Sequence, residues 1–160
     1  MKKIFTSDED ISVLLSSLKS ERKKIVFTNG VFDIIHRGHV EYLLSAKKLG
    51  DILIVGLNSD VSVKLIKGEK RPIVTQENRA FVLSNLKPVD YVVIFNEDTP
   101  YNLISKIIPD VLVKGADWQE DKIIGADIVK LLGGEIKRID FVENNSSTGI
   151  IDRIIQLYCK

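Results

Sequence analysis

Residues 25–39 read IVFTNGVFDIIHRGH, and this stretch decides how the rest of the chain is read. Ile25–Thr28 is a short apolar run of the kind that forms a buried strand. Asn29–Asp33 then breaks the run. Val40, Leu43, Leu44 and Leu49 return at helical spacing until Gly50, so the switch into helix falls at about Gly38. In open α/β sheets, ligands sit outside the carboxyl ends of the strands. Residues 28–39 therefore occupy a position where a ligand site is expected.

Outward from this unit, strand-length apolar runs alternate with helical patterns. Asp51–Leu57, Tyr91–Phe95 and Val111–Val113 read as strands, and Ile136–Val142 as a less uniform one. Ile11, Leu14, Leu15 and Leu18 share a helical face behind Ser7-x-x-Asp10, a capping-box pattern. Ala80, Phe81, Leu83 and Leu86 mark a helix stopped near Pro88; Leu103, Ile104, Ile107 and Ile108 mark one ending before Pro109. Ile123–Leu132 is closed by Gly133-Gly134, and Ile150, Ile151, Ile154, Ile155 and Tyr158 give the last helix. Strand–helix alternation implies βαβ crossovers and an α/β, Rossmann-like, doubly wound parallel sheet. The expected organisation is a single domain over 1–160, with its core at about 24–158 and a helical segment at 1–20. Residues 64–78 read as one long polar loop, and such loops inside a domain are often functional.

Composition narrows the function. The chain has 160 residues, 44% hydrophobic and 28% charged, which suits one globular domain. Lys plus Arg is 23 against 22 for Asp plus Glu, so the basic excess expected of a nucleic-acid binder is missing. The single cysteine, Cys159, excludes an internal disulfide framework. The N-terminus turns acidic without an apolar signal-peptide region, and no apolar run reaches the ~20 residues of a membrane helix. The expectation is a cytoplasmic protein without nucleic-acid or membrane partners.

Only two histidines occur, His36 and His39, and they stand three apart at a helix start. Both can face one anion there, and Gly38 between them leaves room for a phosphate. Imidazolium groups beside helix N–H donors suit charge that develops on a phosphoryl group. Two histidines with Asp33 as the only close carboxylate make a poor zinc set, so no protein metal site is expected. Neither G-x-G-x-x-G nor G-x-x-x-x-G-K-[ST] is present, so phosphates must be held by other means. Ser146-Ser147-Thr148 before the last helix suits either an anion or a plain cap. Lys67, Lys70, Arg71 and Arg79 form a basic group that reads as a phosphate grip or a solvated run. Lys114-Gly115-Ala116-Asp117-Trp118 follows a strand at the same carboxyl edge, where Trp118 can stack on a base or anchor the fold.

Asn29-Gly30-Val31-Phe32-Asp33 with His36-Arg37-Gly38-His39, followed by Ser146-Ser147-Thr148, resembles the nucleotidyltransferase superfamily with the H-x-G-H motif. Within it the similarity runs to the D-glycero-β-D-manno-heptose 1-phosphate adenylyltransferases, from about Ile25 to Ile155. It takes in Leu57-Asn58-Ser59-Asp60, Glu97-Asp98-Thr99-Pro100 and Pro109–Asp117. The resemblance implies transfer of AMP from ATP, with Mg²⁺, to a sugar 1-phosphate, giving an ADP-sugar and pyrophosphate. A homodimer and a separately encoded sugar kinase are implied with it. On this reading His36, His39 and Thr148 are catalytic. Thr28, Asn29, Gly30, Phe32, Gly38, Lys114, Gly115, Asp117, Ser146, Ser147 and Arg79 hold ATP. Asp33, Lys47, Lys67 and Arg71 hold the sugar phosphate. Related cytidylyltransferases carry an arginine before the Ser-Thr pair, where this chain has Phe141–Asn145; Arg79 or Lys114 would supply the missing cation. The alternatives are a cytidylyltransferase for a phosphorylated alcohol such as glycerol 3-phosphate, and an idle nucleotide-binding module.

Overall fold

The computed structural model describes residues 2–7, 11–140 and 146–159. Its strands are β1 (Ile4–Thr6), β2 (Ile25–Gly30), β3 (Ile52–Asn58), β4 (Tyr91–Phe95), β5 (Val111–Gly115) and β6 (Glu135–Ile139). Its helices are α1 (Ser12–Ser20), α2 (Arg37–Lys47), α3 (Asp60–Lys67), α4 (Gln76–Ser84), α5 (Tyr101–Ile107), α6 (Ala126–Leu131) and α7 (Ser147–Tyr158). The strands form one parallel sheet in the order β1-β4-β3-β2-β5-β6. From β2 the chain winds through β3 and β4 to one side, then crosses to β5 and β6 on the other. The reversal lies between β2 and β5, the place where such sheets open a ligand crevice.

Strand alternation divides the core into two layers. Phe27 sits in register with Ile54 on one side and Leu112 on the other, and all three point to the layer under α1, α5 and α6. Val26, Leu53, Val55 and Val92 point the other way, under Leu43 and Ala46 of α2 and Leu83 of α4. Each of these side chains is almost wholly buried, a state worth about 1.5–3 kcal/mol per large apolar group. The α/β doubly wound reading of the sequence is therefore the observed fold. No described helix is long and apolar enough to cross a membrane.

Five local details differ from the expectation. The segment before residue 20 also supplies β1, an edge strand paired with β4 through Ile4↔Val92 to Thr6↔Ile94. Asp10 of the expected capping box lies outside the described residues, and the N-cap of α1 is Ile11, without a side-chain cap bond. Residues 64–78 are not one loop: α3 runs to Lys67 and α4 begins at Gln76, because Ser59 caps α3 by accepting from Ser62 N. The apolar stripe of α7 is not core, since no residue of that helix is buried. Phe81 likewise points outward, at 66% exposure. Val142, the expected end of the last strand, is outside the described residues.

Candidate active site

The site is organised by the turn between β2 and α2. Phe32 and Ile34 sit at φ 48° and 51°, in the left-handed region that costs a side chain bearing a Cβ. The surroundings hold this strained turn. Asp33, 1% exposed, accepts from Ile73 N and Val74 N at 2.9 Å each and from Arg71 Nε at 2.8 Å. Burial pushes its carboxyl up, but these two backbone bonds and Arg71 outweigh that and hold it below the usual value. The Asp33 carbonyl accepts from the Ser147 hydroxyl, so the same residue ties the start of α7 to the turn. The two motifs are thereby joined.

His36 is the N-cap of α2 and His39 stands in its first turn. Their rings stack with centroids 3.9 Å apart and planes 25° apart, and Phe32 lies 5.3 Å from His39. Among the described residues, the Nδ1 atoms of both histidines are buried without a hydrogen-bond partner. Burial pushes His39 down to about 4, with help from His36 and Lys67 against Asp33; burial also lowers His36. Without ligand, both rings are therefore neutral at pH 7, not the imidazolium pair expected from sequence. A neutral ring still donates one N–H. A buried polar atom left unpaired costs about 1–3 kcal/mol, which a ligand at this place would recover.

A cavity of about 650 Å³ opens beside His39 along the carboxyl edge. β2 contributes Asn29 and Gly30, with Phe32 just beyond; α2 adds Tyr42. β5 contributes Lys114 and Gly115, with Trp118 following. The other wall is Asn58 of β3, Ile66 and Lys67 of α3, and Asp98–Pro100 after β4. Lys114 donates to Asn29 Oδ1 at 2.5 Å and lies 5.5 Å from the Trp118 ring. Burial lowers it to about 8 against the opposing charge of Asp117, so it is mostly cationic at neutral pH.

Other expected site residues are held elsewhere. Thr28 is wholly buried: it donates to Val113 O at 3.1 Å and meets the Tyr42 hydroxyl at 2.8 Å. Burial raises Tyr42 to about 12, against that bond. Arg79 is 1% exposed and spends its donors inside the protein, on Val74 O (2.9 Å), Val31 O (2.6 Å), Asn58 O (2.9 Å) and Asp60 Oδ1 (2.6 Å). Lys47 sits at the opposite edge of the sheet, paired at 2.5 Å with Asp90 just before β4 and bonded to Asp51 O before β3. Arg71 faces Asp33. Gly38 is buried in the first turn of α2, Ser146 caps α7 by accepting from Gly149 N at 3.0 Å, and Thr148 is exposed beside it. Asn58, Tyr42, Ile66 and Asp98 entered no expected site. Asn58 and Asp98 each follow or end a strand at the carboxyl edge, a position that could have pointed to them.

The family model described as cytidylyltransferase-like matches residues 27–152. A "bifunctional protein HldE" from Campylobacter concisus is 61% identical over 148 residues, 92% of this chain and 30% of that protein. One of the same name from Helicobacter pylori is 56% identical over 141 residues, again 30% of its length. The chain thus spans about a third of these curated relatives. Among solved structures, the lipopolysaccharide core biosynthesis protein from Thermoplasma volcanium is 31% identical, covering 77% of this chain and 99% of that one, with TM-score 0.59. Pantoate-beta-alanine ligase from Francisella tularensis, at 16% identity, 96% of this chain, 78% of that one and TM-score 0.61, shares the fold.

Proposed function

The chain belongs to the cytidylyltransferase-like family, and from that premise we propose that it is an adenylyltransferase acting on a sugar 1-phosphate. ATP and D-glycero-β-D-manno-heptose 1-phosphate are its substrates; ADP-heptose and pyrophosphate are its products. The observation that carries this reading is the stacked His36–His39 pair, with both Nδ1 atoms buried and unpartnered at the sheet's switch point. The name of the lipopolysaccharide core biosynthesis protein, 31% identical, supports a sugar phosphate as acceptor.

The acceptor's phosphate oxygen attacks the α-phosphorus of ATP, and the bond from that phosphorus to the bridging oxygen of pyrophosphate breaks. A phosphate needs no general base, so the protein's work is placement and charge. His36 and His39 donate to oxygens whose charge grows in the transition state. Bound phosphate favours the charged rings, opposing the burial that keeps them neutral in the free protein. Asn29 to Phe32 line the nucleotide's path, Lys114 and Trp118 flank its base, and the first turn of α7 with Thr148 faces the β- and γ-phosphates. Lys67 meets the acceptor's phosphate. Asp33, Arg71 and Arg79 act by holding these segments. Among the described residues no three His, Cys, Asp or Glu side chains are grouped to hold a metal. Mg²⁺ in this reading comes bound to the triphosphate, and no step is routed through it.

The protein works in the cytoplasm as a homodimer. Ile154, Ile155, Leu157 and Tyr158 of α7, each about half or more exposed, support a second copy packing there. The family's description favours a second reading, CMP transfer to an alcohol phosphate. Pyrophosphate release with ATP and CTP across sugar 1-phosphates and glycerol 3-phosphate separates the two. Adenylyl transfer requires ATP with the heptose phosphate to be preferred by a large factor in kcat/KM; a preference for CTP with glycerol 3-phosphate overturns it.

A further inference from the structure

The β4 end of the cavity has a chemistry of its own. Asn58, 3% exposed at the end of β3, donates from Nδ2 to Ser62 Oγ at 2.8 Å. The Ser62 hydroxyl donates onward to Glu97 O at 2.6 Å. This relay pins the segment after β4 to α3. The Glu97 carboxylate turns back on its own segment, accepting from Asn96 N at 3.1 Å and Asn102 Nδ2 at 3.3 Å. Asp98, the next residue, lines the cavity with Thr99, and no hydrogen bond or ion pair occupies its carboxylate among the described residues. Of two adjacent carboxylates, one braces the loop and the other is left to the cavity.

The substrates of the proposed reaction are polyanions, and a free carboxylate repels their phosphates. It accepts hydrogen bonds and donates none. The oxygen of Asn58, whose amide nitrogen is turned to Ser62, is a second acceptor on the same wall. Such a wall selects donors, and a carboxylate takes two neighbouring hydroxyls through charge-assisted bonds. The adenine amine is the other donor available. Its expected place, however, is beside Lys114 and Trp118 on β5, three strands away in the order β4-β3-β2-β5, or about 14 Å at ~4.8 Å per strand. The histidine turn on β2 lies between the two ends. We propose that Asp98, with Thr99 and Asn58, is the polyol subsite: it reads the hydroxyls of the acceptor sugar while Lys67 faces the sugar's phosphate. This rests on the reading of the protein as a sugar 1-phosphate adenylyltransferase.

Asp98→Asn and Asp98→Ala, measured by pyrophosphate release with ATP and D-glycero-β-D-manno-heptose 1-phosphate, test it. The KM for the sugar phosphate is expected to rise roughly ten- to a hundredfold, as for a lost bond to a charged group. KM for ATP with Mg²⁺ should stay within about twofold, and kcat should fall less than KM rises. Thr99→Val, a second variant on the same wall, should raise the sugar KM by a smaller factor. An unchanged sugar KM in the Asp98 variants, beside a wild type that turns over, or a rise confined to ATP, overturns the subsite alone. A wild type that releases no pyrophosphate with any sugar 1-phosphate overturns the parent reading and the subsite with it.

Discussion

His39 and Arg79 both put nitrogen atoms into the protein near the carboxyl ends of β2 and β3, and both suit a phosphate. Arg79 meets three carbonyls and Asp60 with its guanidinium, and only 1% of it reaches solvent. His39 keeps a buried Nδ1 with no partner among the described residues, stacked on a second histidine in the same state. One region has spent its hydrogen-bonding capacity on the fold; the other holds it in reserve. The difference teaches that a buried polar group is assigned by where its bonds go, not by its residue type.

The largest effect expected from this contrast is on stability. Arg79→Ala leaves Asp60 and the carbonyls of Val31, Asn58 and Val74 without their donor. A loss of about 3–5 kcal/mol is expected, typical of breaking a buried charged network. Urea unfolding measures it. A loss under about 1 kcal/mol would return Arg79 to the ATP site.

The histidines should also mark themselves in the pH dependence of unfolding. His39 binds its proton at about 4 in the folded protein against 6.5 ordinarily. The unfolded chain therefore takes up the proton first as pH falls. The stability from keeping this ring neutral is whole above about 6.5 and is lost as pH falls toward 4. Thermal melts across that window should decline in the wild type and flatten in His39→Ala. An unaltered slope in the variant would mean that the ring is not held neutral by burial.

Lys47→Ala should do least. Its pair with Asp90 is about 30% exposed and at the far edge of the sheet, so stability should change by less than about 1 kcal/mol. The KM values for ATP and the acceptor should not move. A raised acceptor KM would break the division of the sheet into a working and a structural edge.

Much of this contrast was hidden in the sequence. The buried strands were legible because Ile25–Thr28, Tyr91–Phe95 and Val111–Val113 are apolar runs flanked by turn residues. β1 was not, since it has only three residues at an edge. The helical end at 64–67 hides in a polar run because α3 buries only Ser62 and Val63, while Val61 and Leu65 stand 61% and 68% exposed. Its true start signal was Ser59 followed by Asp60 in the first turn. The histidine pair was visible from its spacing alone. The separate fates of Arg71, Arg79 and Lys47 were not, because each depends on a partner far along the chain: Asp33 for Arg71, Val31 for Arg79, Asp90 for Lys47. Asp33 looked like a ligand group and proved to be the joint between the turn, residues 71–74 and α7.

The most direct test of the histidine turn as the reacting centre is pyrophosphate release by wild type and His39→Ala, with ATP and D-glycero-β-D-manno-heptose 1-phosphate, alongside thermal melts of the same samples. Turnover should fall by roughly 10²–10³-fold, as for loss of a transition-state donor, while the melting temperature at pH 7 is held or raised, since an unpaired buried nitrogen is gone. Near-wild-type turnover in a folded His39→Ala protein would contradict the account.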